Sequence, residues 1–565
     1  MAGRLNLKTM FASVENSLRQ ALKALGMEPP ERIEVGAPRE EAWGDLSTPI
    51  AMSLSKQLKK PPREIAQAIA AKLSETGGAA FEKVEIAGPG FINVIFSRDF
   101  IMEKLGRILS EGQAFLRADI GKGKTVQVEF VSANPTGPLH LGHGRGAAVG
   151  AALSNLLAAA GFKVTKEYYV NDAGRQVALL GVSVFARYQE LCGADYPLPE
   201  DGYRGDYIMD IARQIRDAEG GKYKGQDFAQ AGTYFAEKSC AMMLAAIKKD
   251  LEGFGVVFDI WQSEKELYEK REGMESEVDG AINFLRAKGF VYDSEGAAWF
   301  RATLFGDEKD RVLKKGGGQY TYFASDIAYH KLKVDAGYDE LIDIWGADHH
   351  GYIPRVKAAL EALGYNREKL RVLLVQIVNL LRGGKPVQMS KRAGEFVTLK
   401  EVIDEVGADT TRFIFLTRRP DSHLDFDLET AKAASAENPV YYVQYAFARI
   451  NSIFRHAREK GISEDEARTG QADLRLLSEP EELKLAKKLL AYPTVFEGTA
   501  RAHEPHRITY YLQELAGLFH PYYNRHKVVT DDAGLTRARL ALVEAISIVL
   551  KDGLSILGVS APERM

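Results

Sequence analysis

The chain has 565 residues, of which 45% are apolar and 27% charged, with a formal net charge of −3. That length exceeds one ordinary domain and predicts about three or four units. The near-neutral balance fits a soluble globular protein and excludes a small, strongly basic nucleic-acid module. No apolar run reaches the about 18 residues of a membrane span; the nearest candidate, 146–161, is mostly alanine and glycine and is broken by Ser154 and Asn155. The opening MAGRLNLKTMFASVENSLRQ lacks the apolar core of a secretory signal. Cys192 and Cys240 are too few for a disulfide scaffold or a thiolate zinc site, which predicts a reducing, cytoplasmic setting.

In chain order, Phe11, Val14, Leu18, Leu22 and Leu25 share one face of a helix predicted over 9–25. Pro61 and Pro62 mark the entry to a second helix lined by Ile65, Ile69 and Leu73. Two strand-like runs between Val84 and Val94 flank a Gly-Pro-Gly turn. These elements predict an N-terminal α/β domain over 1–120, with GKGK at 121–124 as its boundary. From 121 to 435, apolar runs (VQVEFV, KVTKEYYV, ELIDIWG, RVLLVQIVNLL) alternate with helical stretches. That alternation predicts an α/β, doubly wound, Rossmann-like (HUP-type) parallel-sheet domain. A polar, mostly helical stretch at about 195–290 reads as an insertion. Beyond Asn438-Pro439 strand signals fade, predicting an all-α helical bundle over 436–565 with breaks near Gly461, Pro493 and Asp531-Asp532.

The segment from Glu129 to Gly146, EFVSANPTGPLHLGHGRG, runs a strand through a Pro/Gly turn into a helix opened by His140 and His143. A helix start offers unpaired N–H groups and a positive dipole end to phosphate. The glycines at 142, 144 and 146 allow close backbone approach of a nucleotide. Alone, an HxxH pair is equally a metal-ligand spacing or ordinary surface. A second motif, Gln388-Met389-Ser390-Lys391-Arg392, places two cations in a loop that could close over a leaving pyrophosphate. A basic loop alone is usually solvated surface; the pair, in this order, is the informative signal.

His140-Leu-Gly-His143 and Met389-Ser390-Lys391 resemble the two signatures of the class I aminoacyl-tRNA synthetases, although that class carries lysine at the place of Gln388. Tyr168–Gln176, Phe258–Glu264, Tyr322–Asp326 and Asn438–Tyr445 are similar to segments of the arginyl-tRNA synthetases, bacterial type, and the resemblance spans nearly the whole chain. It implies ATP-dependent activation of L-arginine to an adenylate, then transfer to the 3′-terminal adenosine of tRNA(Arg). His140, His143 and Lys391 would be catalytic. ATP would meet His140, Gly142, His143, Asp348, His349, Met389, Ser390 and Lys391. Arginine would meet Glu129, Tyr322 and Asp326, with Ser132 and Asn134 at its amino and carboxylate end. Carboxylates suit a guanidinium, a planar fork of donors. Separately, Glu129 could be a surface ion pair, Asp326 a helix cap and Tyr322 core.

Asp348-His349-His350-Gly351 invites a metal reading, but adjacent histidines diverge on a strand and no further ligand has suitable spacing, so we read a nucleotide-facing loop. The resemblance implies Mg²⁺ arriving with ATP, no structural zinc, a monomer, and partners that include neither DNA nor membrane. It also implies that bound tRNA is needed before arginine is activated. Aromatics interleaved with arginines in the C-terminal helices suit single-stranded bases, though such aromatics are more often core. Two other readings remain. HxGH nucleotidylyltransferases are usually much shorter and lack a helical C-terminal domain. Non-catalytic paralogues tend to lose the histidine or lysine motif kept here.

Overall fold

The structure, a computed structural model, describes residues 9–270, 272–387, 397–462 and 472–565. Met10–Ala24 is a helix, capped by the Thr9 hydroxyl accepting from the Ala12 N–H at 3.0 Å, and it buries Val14, Leu18 and Leu22 as their spacing requires. Pro62–Thr76 is the second helix, with proline in the first turn where a missing N–H costs nothing. The Gly-Pro-Gly stretch turns a hairpin, Phe81–Ala87 against Phe91–Phe96, and Leu46–Thr48 completes a three-stranded antiparallel sheet.

The alternating region forms a five-stranded parallel sheet: β1 Thr125–Glu129, β2 Lys163–Val170, β3 Ile260–Ser263, β4 Glu340–Gly346 and β5 Leu370–Val375. Its strand order is β5-β4-β1-β2-β3, so the chain winds away from β1 in both directions. In such sheets ligands bind beyond the carboxyl ends of the strands where the order reverses, here between β1 and β4. Edge strand β3 falls within the stretch 195–290, after the helices Asp206–Glu219 and Phe228–Gly253. The run RVLLVQIVNLL is two strands rather than one. β5 ends at Val375, the Gln376 N–H turns away to the Pro420 carbonyl (2.8 Å), and Val378–Arg382 joins a separate small sheet with Leu424–Asp427.

Helix α1, Leu141–Ala159, follows β1, and α2, Tyr322–Asp335, precedes β4. Helix α3 spans Ala408–Phe415, and the C-terminal region folds as α4 Pro439–Glu459, α5 Pro480–Ala502, α6 His506–Arg525 and α7 Ala533–Leu557. The expected break at Pro493 does not occur. Proline sits inside α5, and burial of Leu489, Leu490, Tyr492 and Phe496 around it carries the helix through. No helix among the described residues is long and apolar enough to cross a membrane.

Two buried guanidiniums tie these parts together through carbonyls. Arg145 of α1 donates to the carbonyls of Gln376 (2.9 Å), Ser422 (2.7 Å) and Arg419 (2.8 Å). Arg412 of α3 donates to Phe254 (2.8 Å), Gly255 (3.2 Å) and Leu557 (3.3 Å), joining the end of the long helix before β3 to the last turn of α7. Replacing Arg412 by methionine keeps the bulk and leaves three buried carbonyls without donors. We expect R412M to lose about 3 kcal/mol of stability, read as a fall in the urea midpoint; an unchanged midpoint would show those carbonyls finding other donors.

Candidate active site

At the carboxyl ends of the strands lies a cleft of about 1250 Å³ lined by residues from β1, β2, β4, β5, α1 and α2. It gathers His140, Gly142 and His143 with Glu129, Ser132, Asn134, Tyr322, Asp326, Asp348 and His349, ten of the thirteen residues singled out in the sequence. Met389, Ser390 and Lys391, like Gln388, lie outside the described residues. The chain resumes beside the histidines: the Leu399 N–H donates to the Leu139 carbonyl at 2.7 Å, and Thr398 bridges His140.

His140 is the N-cap of α1. Its Nδ1 accepts from the Gly142 N–H at 3.1 Å, and His143 Nδ1 accepts from the His140 N–H at 3.4 Å. The two rings stack with centroids 3.7 Å apart. With Nδ1 accepting, each imidazole carries its proton on Nε2 and is a hydrogen-bond donor at the positive end of a helix, the arrangement an anionic phosphate requires. Among the three glycines, Gly144 has another role than the one expected. A side chain there would meet Leu399 and Phe415, so it serves packing, whereas a side chain at Gly146 would enter open space on the cleft wall.

The turn after β1 is strained. Val131 has φ of 70° and Ser132 φ of 40°, a left-handed conformation that a β-branched residue adopts only under constraint. Three bonds hold it: the Ser132 hydroxyl donates to Glu129 at 2.8 Å and accepts from the Tyr169 N–H at 3.1 Å, while the Tyr168 hydroxyl donates to the Ala133 carbonyl at 2.8 Å. Asn134 is exposed beyond the turn and donates to Gln176 at 2.6 Å.

The opposite wall is α2. Tyr322 stands at its start, 62% exposed, and is therefore not core. Asp326 is half-buried one turn later, inside the helix rather than capping it, since Thr321 is the N-cap. Burial pushes the Asp326 carboxyl up to about 7, with the charges of Glu264 and Glu129 adding to the rise against His330 and the Tyr352 hydroxyl. Glu264, just past β3, is 2% exposed; its Oε1 accepts from Ser325 (3.1 Å) and Tyr268 (3.3 Å), while Oε2 is buried without a partner. Burial raises its carboxyl too. The Tyr169 hydroxyl, also on the cleft, is buried and unpartnered. Two carboxylates with no ion pair among the described residues thus share one cleft, an arrangement that favours a cationic ligand able to satisfy both.

Glu264, Tyr169, Tyr329, His330 and Lys333 were not singled out as site residues. The α2 members carried a usable signal: Tyr322, Asp326 and His330, and Ser325, Tyr329 and Lys333, repeat every four residues along the helix. Asp348–His350 belong to a 3₁₀ turn after β4 rather than a strand, and all three are exposed. Among the described residues they form no cluster of three ligating side chains; Glu479, Glu481 and His526 do meet, but Arg525 already pairs with Glu481 and Glu479 caps α5.

In the C-terminal helices the aromatics divide. Tyr492, Tyr511 and Tyr522 are core. Tyr441, Tyr445, Arg449 and Tyr523 are half-buried and form a ladder: Tyr441 stacks on Tyr445 at 5.6 Å, and the Arg449 guanidinium lies 4.4 Å from Tyr445 and 4.7 Å from Tyr523.

Family models agree with this anatomy. "Arginyl tRNA synthetase N terminal domain" matches residues 12–96, "tRNA synthetases class I (R), catalytic domain" matches 104–452, and "DALR anticodon binding domain" matches 443–565. A parallel sheet that reverses beside a histidine-capped helix is therefore, in this chain, the catalytic domain of a class I aminoacyl-tRNA synthetase. Among curated proteins, the arginine–tRNA ligase of Citrifermentans bemidjiense is 52% identical over 534 residues, 94% of this chain and 95% of the relative. That of Geobacillus thermodenitrificans is 48% identical over 98% of this chain and 99% of its own length. The Thermus thermophilus arginyl-tRNA synthetase superposes with a TM-score of 0.75, covering 98% of this chain and all of that one; at 24% identity this shows the fold. The chain belongs to the arginyl-tRNA synthetase family.

Two measurements test the cleft. A cationic ligand at Asp326 would bind its ionised form, and a proton competes for that form once pH falls below about 7. The KM for arginine should therefore be flat above that value and rise up to about tenfold per pH unit below it, measured by pyrophosphate exchange; a flat profile from pH 6 to 8 would contradict the assignment. Glu264→Gln keeps shape and removes charge. We expect it to raise the arginine KM about 100-fold or more while leaving the ATP KM within about twofold.

Proposed function

We propose that this enzyme activates L-arginine with ATP and transfers it to the 3′-terminal adenosine of tRNA(Arg), releasing AMP and pyrophosphate. The observation that carries the proposal is the pair Glu264 and Asp326, two carboxylates with no ion pair among the described residues, in a cleft shared with the start of α1. A guanidinium has the charge and the forked N–H donors to satisfy both, with Tyr322 beside them at the mouth. Ser132 and Asn134, with Glu129 behind Ser132, would take the amino and carboxylate end.

The nucleotide fits the other half of the cleft. Donors at the helix start, the Nε2–H groups of His140 and His143, and the open wall at Gly146 suit its phosphates, with Gly142 beside the His140 ring and Asp348 and His349 toward the ribose or adenine. Mg²⁺ would arrive on the nucleotide and neutralise phosphate charge. The arginine carboxylate attacks the α-phosphorus, the bond to the β-phosphate breaks, and arginyl-adenylate and pyrophosphate form. His140, His143 and Lys391 stabilise charge as it develops, and no side-chain nucleophile is needed. The tRNA hydroxyl then attacks the adenylate carbonyl and AMP leaves. The ladder Tyr441-Tyr445-Arg449-Tyr523 offers stacking faces and a cation to bases of the anticodon loop, and the N-terminal unit would meet the body of the tRNA. A cytoplasmic monomer completes the reading.

The test is arginine-dependent ATP–pyrophosphate exchange, with and without tRNA(Arg), using lysine and citrulline as controls. Exchange with arginine alone of the three, and only with tRNA present, is the expected result. Citrulline matters most, because it keeps the shape of arginine and lacks its charge, which leaves the buried carboxylates unpaired. No exchange from well-folded protein under any condition would overturn the proposal, and exchange without tRNA would overturn the tRNA requirement alone.

A further inference from the structure

Behind the cleft wall lies a cluster of buried charges. Lys333, on the buried face of α2 and 3% exposed, places its ammonium 2.8 Å from Glu129 Oε2 and 2.5 Å from Asp343 Oδ1 on β4. The other oxygen of Asp343 meets His330 Nε2 at 3.0 Å, and His330 Nδ1 lies 2.8 Å from the Asp326 carbonyl. Both ring nitrogens face acceptors, so both must donate, and His330 is an imidazolium. Burial opposes charge on every member. The Lys333 and His330 cations nonetheless hold Asp343 below the usual carboxylate range, and Asp343 in turn holds His330 above the usual imidazole value. Two cations thus face Glu129 and Asp343, beside a third buried carboxyl, Glu167, which accepts from the Tyr329 hydroxyl at 2.5 Å and is pushed above the usual carboxylate range by burial.

Glu129 therefore differs from the other carboxylates of the cleft. Its Oε1 accepts from Ser132, and its Oε2 has Lys333 together with the Tyr329 hydroxyl at 3.0 Å. Glu264 and Asp326 have no such cation among the described residues. A third unpaired carboxylate at Glu129, the end of the cleft nearest Ser132, would compete with them for a guanidinium.

We propose that Lys333 is a positioning residue for arginine recognition: its ammonium occupies the cation place on Glu129, so that the guanidinium is drawn to Glu264 and Asp326 and the substrate lies in one direction only. Lys333 touches no substrate. It acts through Glu129, which it keeps in one orientation as a neutralised hydrogen-bond acceptor, and Asp343 and His330 hold Lys333 in turn. Nothing in the helix propensity of α2 asks for a lysine on its buried face, and burial alone disfavours one.

The inference rests on reading the cleft as an arginine site, and the two fail separately. If the parent protein shows no arginine-dependent exchange, that reading falls; if the parent is active, the variants below decide on Lys333. Lys333→Met should reduce kcat/KM for arginine about 100-fold with the ATP KM within twofold. Glu129→Gln should behave similarly, and the double variant should be no worse than the worse single, because two residues acting through one contact are not additive. Should K333M fold poorly, the paired K333M/D343N, which removes one charge of each sign, should restore the unfolding midpoint without restoring arginine kinetics. Parental arginine kinetics in a folded K333M, losses that multiply in the K333M/E129Q double variant, or equal damage to ATP and arginine KM would each overturn the proposal.

Discussion

Where a parallel sheet is wound in both directions from one strand, the chain leaves the carboxyl ends of β1 and β4 toward opposite faces, and no helix can cover the gap between them. Most of the cleft residues hang from that gap. β1 ends in Glu129 and the strained turn at Val131 and Ser132; α1 begins there with His140; α2 lays Tyr322 and Asp326 along the facing wall; β4 ends in the turn that carries Asp348 and His349. The strain at Val131 persists because bonds from Tyr168, Tyr169 and Glu129 over-determine the turn.

The cleft separates its charges by chemistry. At one end, backbone N–H groups and two imidazoles form a donor set without a full positive charge among the described residues. At the other, buried carboxylates await a cation. Between them Lys333 and His330 offset the charge of Glu129 and Asp343, with the buried Glu167 beside them. Ion pairs buried this deeply add little stability over an apolar replacement, and their use is specificity. The direction in which a zwitterionic amino acid with a cationic side chain lies is the kind of choice such charges make.

The helical region is joined to this site mechanically. α7 packs along α1, and the Asn155 amide of α1 donates to the Ile556 carbonyl at 3.2 Å, one residue from the carbonyl held by Arg412. The helix that carries His140 and His143 at one end is thereby fastened to the last helix of the chain. A displacement of α7 would be felt along α1, since packed helices transmit shifts as rigid bodies.

Much of this was legible without coordinates. The Gly-Pro-Gly hairpin, the parallel sheet and the helical C-terminal region follow from periodicity and turn residues, because alternation and four-residue repeats are local properties of a chain. The histidine motif was legible for the same reason: a cap, a dipole and glycines act within one turn. Other features were decided only by tertiary structure. Pro493 stays helical because a buried face outweighs one missing hydrogen bond. RVLLVQIVNLL divides because Gln376 is claimed by Pro420, far along the chain. Glu264 comes to line the cleft, and Lys333 becomes a buried cation, because folding removes water from carboxylates brought together by β1, β3, β4 and α2. Burial and pairing depend on neighbours distant in sequence, and no local pattern carries that information.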